Sequence, residues 1–203
     1  MMSRPCLMLV TAPMPGLAGV VEKAVLGGFD IVQVRDKTAD DSRLLSCVRE
    51  IVGRTGEAAK VVVNGSVQVG VEAGVYGVHL SEAAPREVYR MARAAGLSVG
   101  ASVHSIDSAL RARDLGAAYV IAGAVFETAS HPGAQPQGVG FLESICDVLD
   151  IPALAIGGIG VDRVWDCLNA GAAGVAVVSS ILHARDPERA SREYRSMLDR
   201  WEG

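Results

Sequence analysis

IPALAIGGIGVDRVWDCLNAGAAGVAVVSSI, Ile151 to Ile181, contains two short apolar runs with a segment of helical period between them. The first run ends in Gly157-Gly158, and the second starts just after a glycine and ends in Ser179-Ser180. This is one strand–helix–strand unit with a backbone-rich turn at each strand end. In a (β/α)8 barrel the loops after the last two strands, with the N-terminus of a short helix, commonly bind a phosphate. A small phosphate ester held by Gly157, Gly158, Ser179 and Ser180 is therefore the expected ligand.

The same form recurs upstream. GGFDIVQV, AGVYGVHL, LGAAYVIAG and AGAAGVAVV each put a glycine just ahead of a short β-rich run. A glycine tolerates the left-handed cap that ends a helix, so these are helix-to-strand joints. Between them lie CLMLV, KVVVN, LSVGAS and PALAI, each followed by a stretch of helical period. Interleaved, they predict eight strands: about Cys6 to Thr11, Ile31 to Val34, Lys60 to Asn64, Gly77 to Leu80, Ser98 to Ser102, Tyr119 to Ala122, Ala153 to Ile156 and Val175 to Val178. Helices are expected over Leu17 to Leu26, Ala39 to Val52, Ser66 to Ala73, Pro85 to Ala95, Ile106 to Leu115, Gly138 to Leu149, Val161 to Asn169 and Pro187 to Trp201. Strict alternation with continuous apolar strands implies a parallel sheet covered by helices. Eight units favour a single α/β domain over residues 1–203, a (β/α)8 (TIM) barrel. The alternative, a flavodoxin-like or Rossmann sheet, lacks its G-x-G-x-x-G after the first strand, where TAPMPG stands.

Composition narrows the class of partner. The 203 residues are half hydrophobic, include 23 glycines and carry a formal charge of −4. Mild acidity offers no footprint for nucleic acid, and no basic amphipathic run points to a membrane surface. The apolar run CLMLV is far short of the roughly 20 residues that span a bilayer, so no membrane or secretory segment is expected. Cys6, Cys47, Cys146 and Cys167 are widely spaced, without zinc-ligand spacing. They read as inert thiols of a cytoplasmic protein. Partners should be small molecules or another copy of the chain.

Polar residues at strand C-terminal ends are the candidates for chemistry in a barrel. Here they are Gln33, Arg35 and Lys37 after the second strand, Asn64 after the third, and His79 and Glu82 after the fourth. Ser102 and His104 follow the fifth, and Glu127 to His131 follow the sixth. QVRDK alternates, so Gln33, Arg35 and Lys37 share one orientation if the chain stays extended, and the two cations suit an anionic ligand. His79 reads equally as a structural histidine or a ligand contact. His104 either contacts ligand or packs while Ser105 caps the next helix, and His183 reads as surface. The irregular segment FETASHPGAQPQGVG is expected to cover the mouth as a lid.

QVRDK, VNG, YGVHL, GASVHS, AYVIAGAVFETASHPG, AIGGI and GAAGVAVVSSI, in this order, closely resemble the thiamine-phosphate synthase and thiazole tautomerase superfamily. The resemblance covers nearly the whole chain and implies a (β/α)8 barrel acting on a thiazole phosphate, with a homodimer as the assembly. Its synthase branch joins a pyrimidine diphosphate to thiazole phosphate and expels pyrophosphate held by magnesium. Gln33, Arg35 and Lys37 match that branch, but Gly65, Ala84 and His131 stand where it has Asp, Asp and Lys. Losing these groups disfavours synthase chemistry. The tautomerase branch reads Asn-Gly after the third strand, then SVHS, then G-H-V-F-E-T. This chain has VNG, SVHS and GAVFET, with Ala124 at the histidine.

The expectation that follows is a thiazole tautomerase-like isomerase of thiamine biosynthesis that aromatises a carboxylated thiazole phosphate without a cofactor. His104 would be its acid/base, His131 the second choice and Glu127 a possible partner. Asn64, Ser102 and Thr128 would orient the ring, with Gln33, Arg35 and Lys37 beside the anion. The alternatives are a thiamine-phosphate synthase, which alone would need magnesium, and a non-catalytic binder of thiazole phosphate or thiamine phosphate with a regulatory role.

Overall fold

Strands buried on both faces read as continuous apolar runs, and here each such run is a barrel stave. A computed structural model describes residues 4–128 and 135–202. Its strands are β1 (Cys6–Val10), β2 (Ile31–Val34), β3 (Lys60–Asn64), β4 (Gly77–Leu80), β5 (Ser98–Val103), β6 (Tyr119–Gly123), β7 (Ala153–Ile156) and β8 (Gly174–Val177). All pair in parallel in chain order, and β1 pairs β8 to close the barrel. The expected (β/α)8 barrel is the observed fold, with strand ends within one residue of those read from the sequence.

The outer helices are α1 (Leu17–Leu26), α2 (Asp41–Thr55), α3 (Val67–Glu72), α4 (Arg86–Ala94), α5 (Ile106–Asp114), α6 (Gly138–Val148), α7 (Val164–Asn169), α8 (Ser179–Leu182) and α9 (Pro187–Asp199). A 3-10 turn over Val161–Arg163 leads into α7. Two differences from the sequence reading have local causes. Helix α2 starts after Asp40, not at Ala39, because the Asp40 carboxylate accepts from the Arg43 amide at 2.9 Å and caps it. The one-turn α8 is too short to show a helical period.

Alternate strand residues divide between two packed layers. Leu7, Leu9, Val61, Val63, Val99 and Val175 pack outward with the helices. Cys6, Met8, Val10, Ile31, Val62, Tyr119, Ile121, Leu154 and Ala176 form a separate cluster that fills the interior. All four cysteines are free, and burial pushes the Cys6 thiol up to about 12. Gly28, Gly74, Gly116 and Gly171, the joints read from the sequence, have φ of 108°, 63°, 87° and 88°. Among the described residues no helix is long and apolar enough to cross a membrane.

Candidate active site

Near the C-terminal end of the barrel the inward positions change from apolar to polar. Gln33, Asn64, His79 and Ser102 come from four successive strands, β2 to β5. The Asn64 amide donates to Gln33 Oε1 at 3.3 Å, and Asn64 is in register with His79 on the next strand. His79 Nε2 lies 2.9 Å from Ser102 Oγ, and its Nδ1 lies 3.4 Å from the Tyr119 hydroxyl. These contacts form a polar arc over the apolar interior. Burial, and then the charge of Arg35, push the His79 imidazole down to about 3. It is therefore neutral at physiological pH, with one ring nitrogen donating and the other accepting. Tyr119 reaches His79 because Gly100, its register partner, has no side chain: a Cβ there would lie 2.1 Å from the Tyr119 ring.

Arg35 follows β2 directly and is half-buried, with its backbone clamped to the end of β1. Its amide donates to Thr11 Oγ1 at 2.9 Å, and that hydroxyl lies 3.4 Å from the Arg35 carbonyl. The Arg35 charge is felt at His79, where it adds to burial in disfavouring the protonated ring. Lys37 is exposed. Neither cation has an ion pair among the described residues. Asp36, between them, is used locally: its carboxylate accepts from the Thr38 hydroxyl and amide (2.7 and 2.8 Å) and from the Ala39 amide, and these bonds hold its carboxyl below the usual range.

The opposite wall is backbone. Gly157 (φ 103°) and Gly158 (φ 63°) turn the chain after β7. The start of the β6 loop lies against them, with the Val125 amide donating to the Ile156 carbonyl and the Phe126 amide to the Gly157 carbonyl, at 2.9 and 3.0 Å. A Cβ on Gly158 would stand 2.1 Å from the Glu127 carbonyl oxygen. Arg163 donates to the Gly158 carbonyl at 3.0 Å and stacks on the Phe126 ring. One strand later Ser179 and Ser180 open α8, where the Ile181 amide is the first to reach a backbone acceptor, the Val178 carbonyl. The β6 segment also returns to its origin, since the Gln137 and Gly138 amides donate to the Ala124 and Val125 carbonyls.

His104 extends the rim beyond the arc. Its Nδ1 lies 2.9 Å from Glu82 Oε2, so its carboxylate partner is Glu82 and not Glu127, which is exposed. Ser105 caps α5 through the Ser108 amide, the helix-cap role that SVHS offered. Thr128 is half-buried, His183 is exposed, and His131 lies outside the described residues, as does much of the segment read as a lid. The sequence reading missed Thr11 and Tyr119 and gave Glu82 no role. Their contacts join residues 22 to 40 apart, which leave no local pattern.

Magnesium, which the synthase alternative implies, does not fit these residues. It takes oxygen ligands in octahedral geometry, usually one or two carboxylates plus substrate phosphates. Gly65 and Ala84 supply none, Asp36 closes its own turn and Glu82 is bound to His104. Among the described residues no group of three or more His, Cys, Asp or Glu side chains converges.

Comparison with known proteins addresses which branch this barrel belongs to. The family described as thiamine monophosphate synthase matches residues 7–181. A thiamine-phosphate synthase of Methanoculleus marisnigri is 38% identical over 180 residues, covering 86% of this chain and 84% of that protein. One of Thermosynechococcus vestitus is 36% identical over 198 residues, and there the chain spans 97% of itself but only 56% of its relative. Among solved structures, a thiamine phosphate pyrophosphorylase from Pyrococcus furiosus superposes with a TM-score of 0.86 at 31% identity, covering 97% of this chain and 96% of that one. A 3-hexulose-6-phosphate synthase from Salmonella typhimurium, 20% identical with a TM-score of 0.77, shares the fold.

These relatives overturn the tautomerase expectation. That expectation rested on Asn64-Gly65, SVHS and GAVFET, whereas likeness along the whole chain leads to proteins named synthases. The isomerase roles given to His104, His131 and Glu127 fall with it. With a family match from residue 7 to residue 181 and relatives above 30% identity across most of its length, the chain belongs to the thiamine monophosphate synthase family.

Proposed function

We propose that this barrel is a thiamine-phosphate synthase, a transferase that joins a pyrimidine diphosphate to a thiazole phosphate. In that reaction the carbon–oxygen bond to the diphosphate breaks, a bond from the same carbon to the thiazole nitrogen forms, and pyrophosphate leaves. The observation that carries the reading is the near full-length likeness to named synthases. The site chemistry supports it, because both substrates are anionic and Arg35 and Lys37 stand at the mouth without ion-pair partners among the described residues.

The thiazole phosphate group would lie in the turn of Gly157 and Gly158 and against the amides of Ser179 and Ser180, where unpaired N–H groups favour an anion. Gln33, Asn64 and Ser102 would orient the rings, with Thr128 at the edge. His79 would act through Ser102, fixing the direction of its hydroxyl with an uncharged imidazole. In this chain side chains would meet the charge on the diphosphate.

Arg35→Met tests the reading. A guanidinium bound to a phosphate oxygen contributes about 1.5–3 kcal/mol, so kcat/KM for thiamine-phosphate formation should fall roughly 10- to 200-fold in a folded variant. Parent-like kcat/KM in Arg35→Met would remove the diphosphate from this side of the mouth.

A further inference from the structure

We infer that His104, oriented by Glu82, contacts the diphosphate end of the substrate and makes its binding independent of a metal ion in this chain. The inference rests on the synthase reading, which supplies the diphosphate. It starts from the geometry of β4 and β5, which pair with His79 beside Gly100 and Leu80 beside Ala101. Two polar links tie these strands at the mouth. The inner one is His79 to Ser102, and the outer one, farther along both chains, is Glu82 to His104. The dyad therefore shares a rim with the polar arc.

Both halves of the dyad are held in place. Arg111 of α5 donates to the carbonyls of Glu82 and Ala84, each at 2.8 Å, and so pins the loop after β4. Ser108 Oγ accepts from the His104 amide at 3.1 Å and pins the loop after β5. Hydrogen bonds from Ser108 and then His104 hold the Glu82 carboxyl below its usual range, which keeps it charged. The His104 side chain is 56% exposed, and Nε2 has no partner among the described residues. An imidazole whose Nδ1–H donates to a carboxylate can take a proton at Nε2 and offer that N–H to an anionic oxygen.

Charge counting favours this arrangement. Two carboxylates and one divalent cation sum to zero, so losing both acids at Gly65 and Ala84 together with the ion is neutral, while His131 in place of the lysine takes one positive charge from the mouth. Arg35, Lys37 and the His104 imidazole then remain to meet the diphosphate.

Inorganic pyrophosphate is the probe, titrated calorimetrically into the protein in EDTA and again in excess magnesium. The parent should bind it with similar affinity in both. His104→Gln should weaken binding in EDTA about tenfold, the worth of one charge-assisted hydrogen bond, and leave thiazole phosphate affinity unchanged. Glu82→Gln should weaken pyrophosphate alone in the same way, a selectivity that general loosening of the fold would not produce. Pyrophosphate binding that requires magnesium, no binding in either buffer, or parent-like binding by His104→Gln would each overturn the inference. Metal-free, His104-dependent binding in a protein that makes no thiamine phosphate would support the site and refute the synthase reading.

Discussion

His79 stands where the dry interior of the barrel meets its polar mouth, and its burial sets a cost that depends on pH. The imidazole ordinarily takes a proton near 6.5, but in the fold it stays neutral down to about 3. Between those values the unfolded chain binds more protons than the folded one, so stability falls as pH drops below 6.5. At about 1.4 kcal/mol per pH unit, the loss by pH 5 is roughly 2 kcal/mol. Urea unfolding at pH 7 and pH 5 should show it in the parent, and His79→Gln should flatten the difference. An undiminished loss in His79→Gln would assign the titration to another group. From sequence, His79 could be read as structural or as a ligand contact. Its neighbours join the two readings, since a buried histidine holds a residue of the mouth.

At the scale of elements, the Gly157-Gly158 turn shows what a sequence leaves ambiguous. A glycine pair after a strand marks a place where something approaches the backbone, and a phosphate is one candidate. The structure gives a second occupant, the β6 loop, whose Ala124 Cβ would lie 2.6 Å from a Cβ on Gly157 and whose Glu127 carbonyl would lie 2.1 Å from one on Gly158. Gly158→Ala should therefore destabilise the protein with no ligand present, by about 2 kcal/mol from positive-φ strain and overpacking. Thermal unfolding of the ligand-free variant measures this, and parent-like melting would leave ligand approach as the only demand on the pair. The strands, by contrast, were legible because each is a short apolar run with turn residues at both ends. The one-turn α8 was not, because four residues carry no periodicity.

For the whole molecule, closure of the barrel joins the two ends of the described chain. Cys6 pairs with Gly174, and Arg195 of α9, buried at 7% exposure, donates to the Pro5 carbonyl and to Asp30 at 3.1 Å each. The fold class could be read from the spacing of apolar runs and glycines, whereas a contact spanning 190 residues leaves no local pattern. The branch of the superfamily was misread for a related reason. Gly65, Ala84 and Ala124 each weigh on one catalytic detail, while descent is recorded along the whole chain. As a synthase, this barrel would join its two substrates. Incubation of the parent protein with pyrimidine diphosphate and thiazole phosphate, with both products quantified, tests it most directly. Thiamine phosphate and pyrophosphate should appear in equal amounts, at a rate proportional to protein and undiminished in EDTA. Recovery of both substrates unchanged, with and without magnesium, would contradict it.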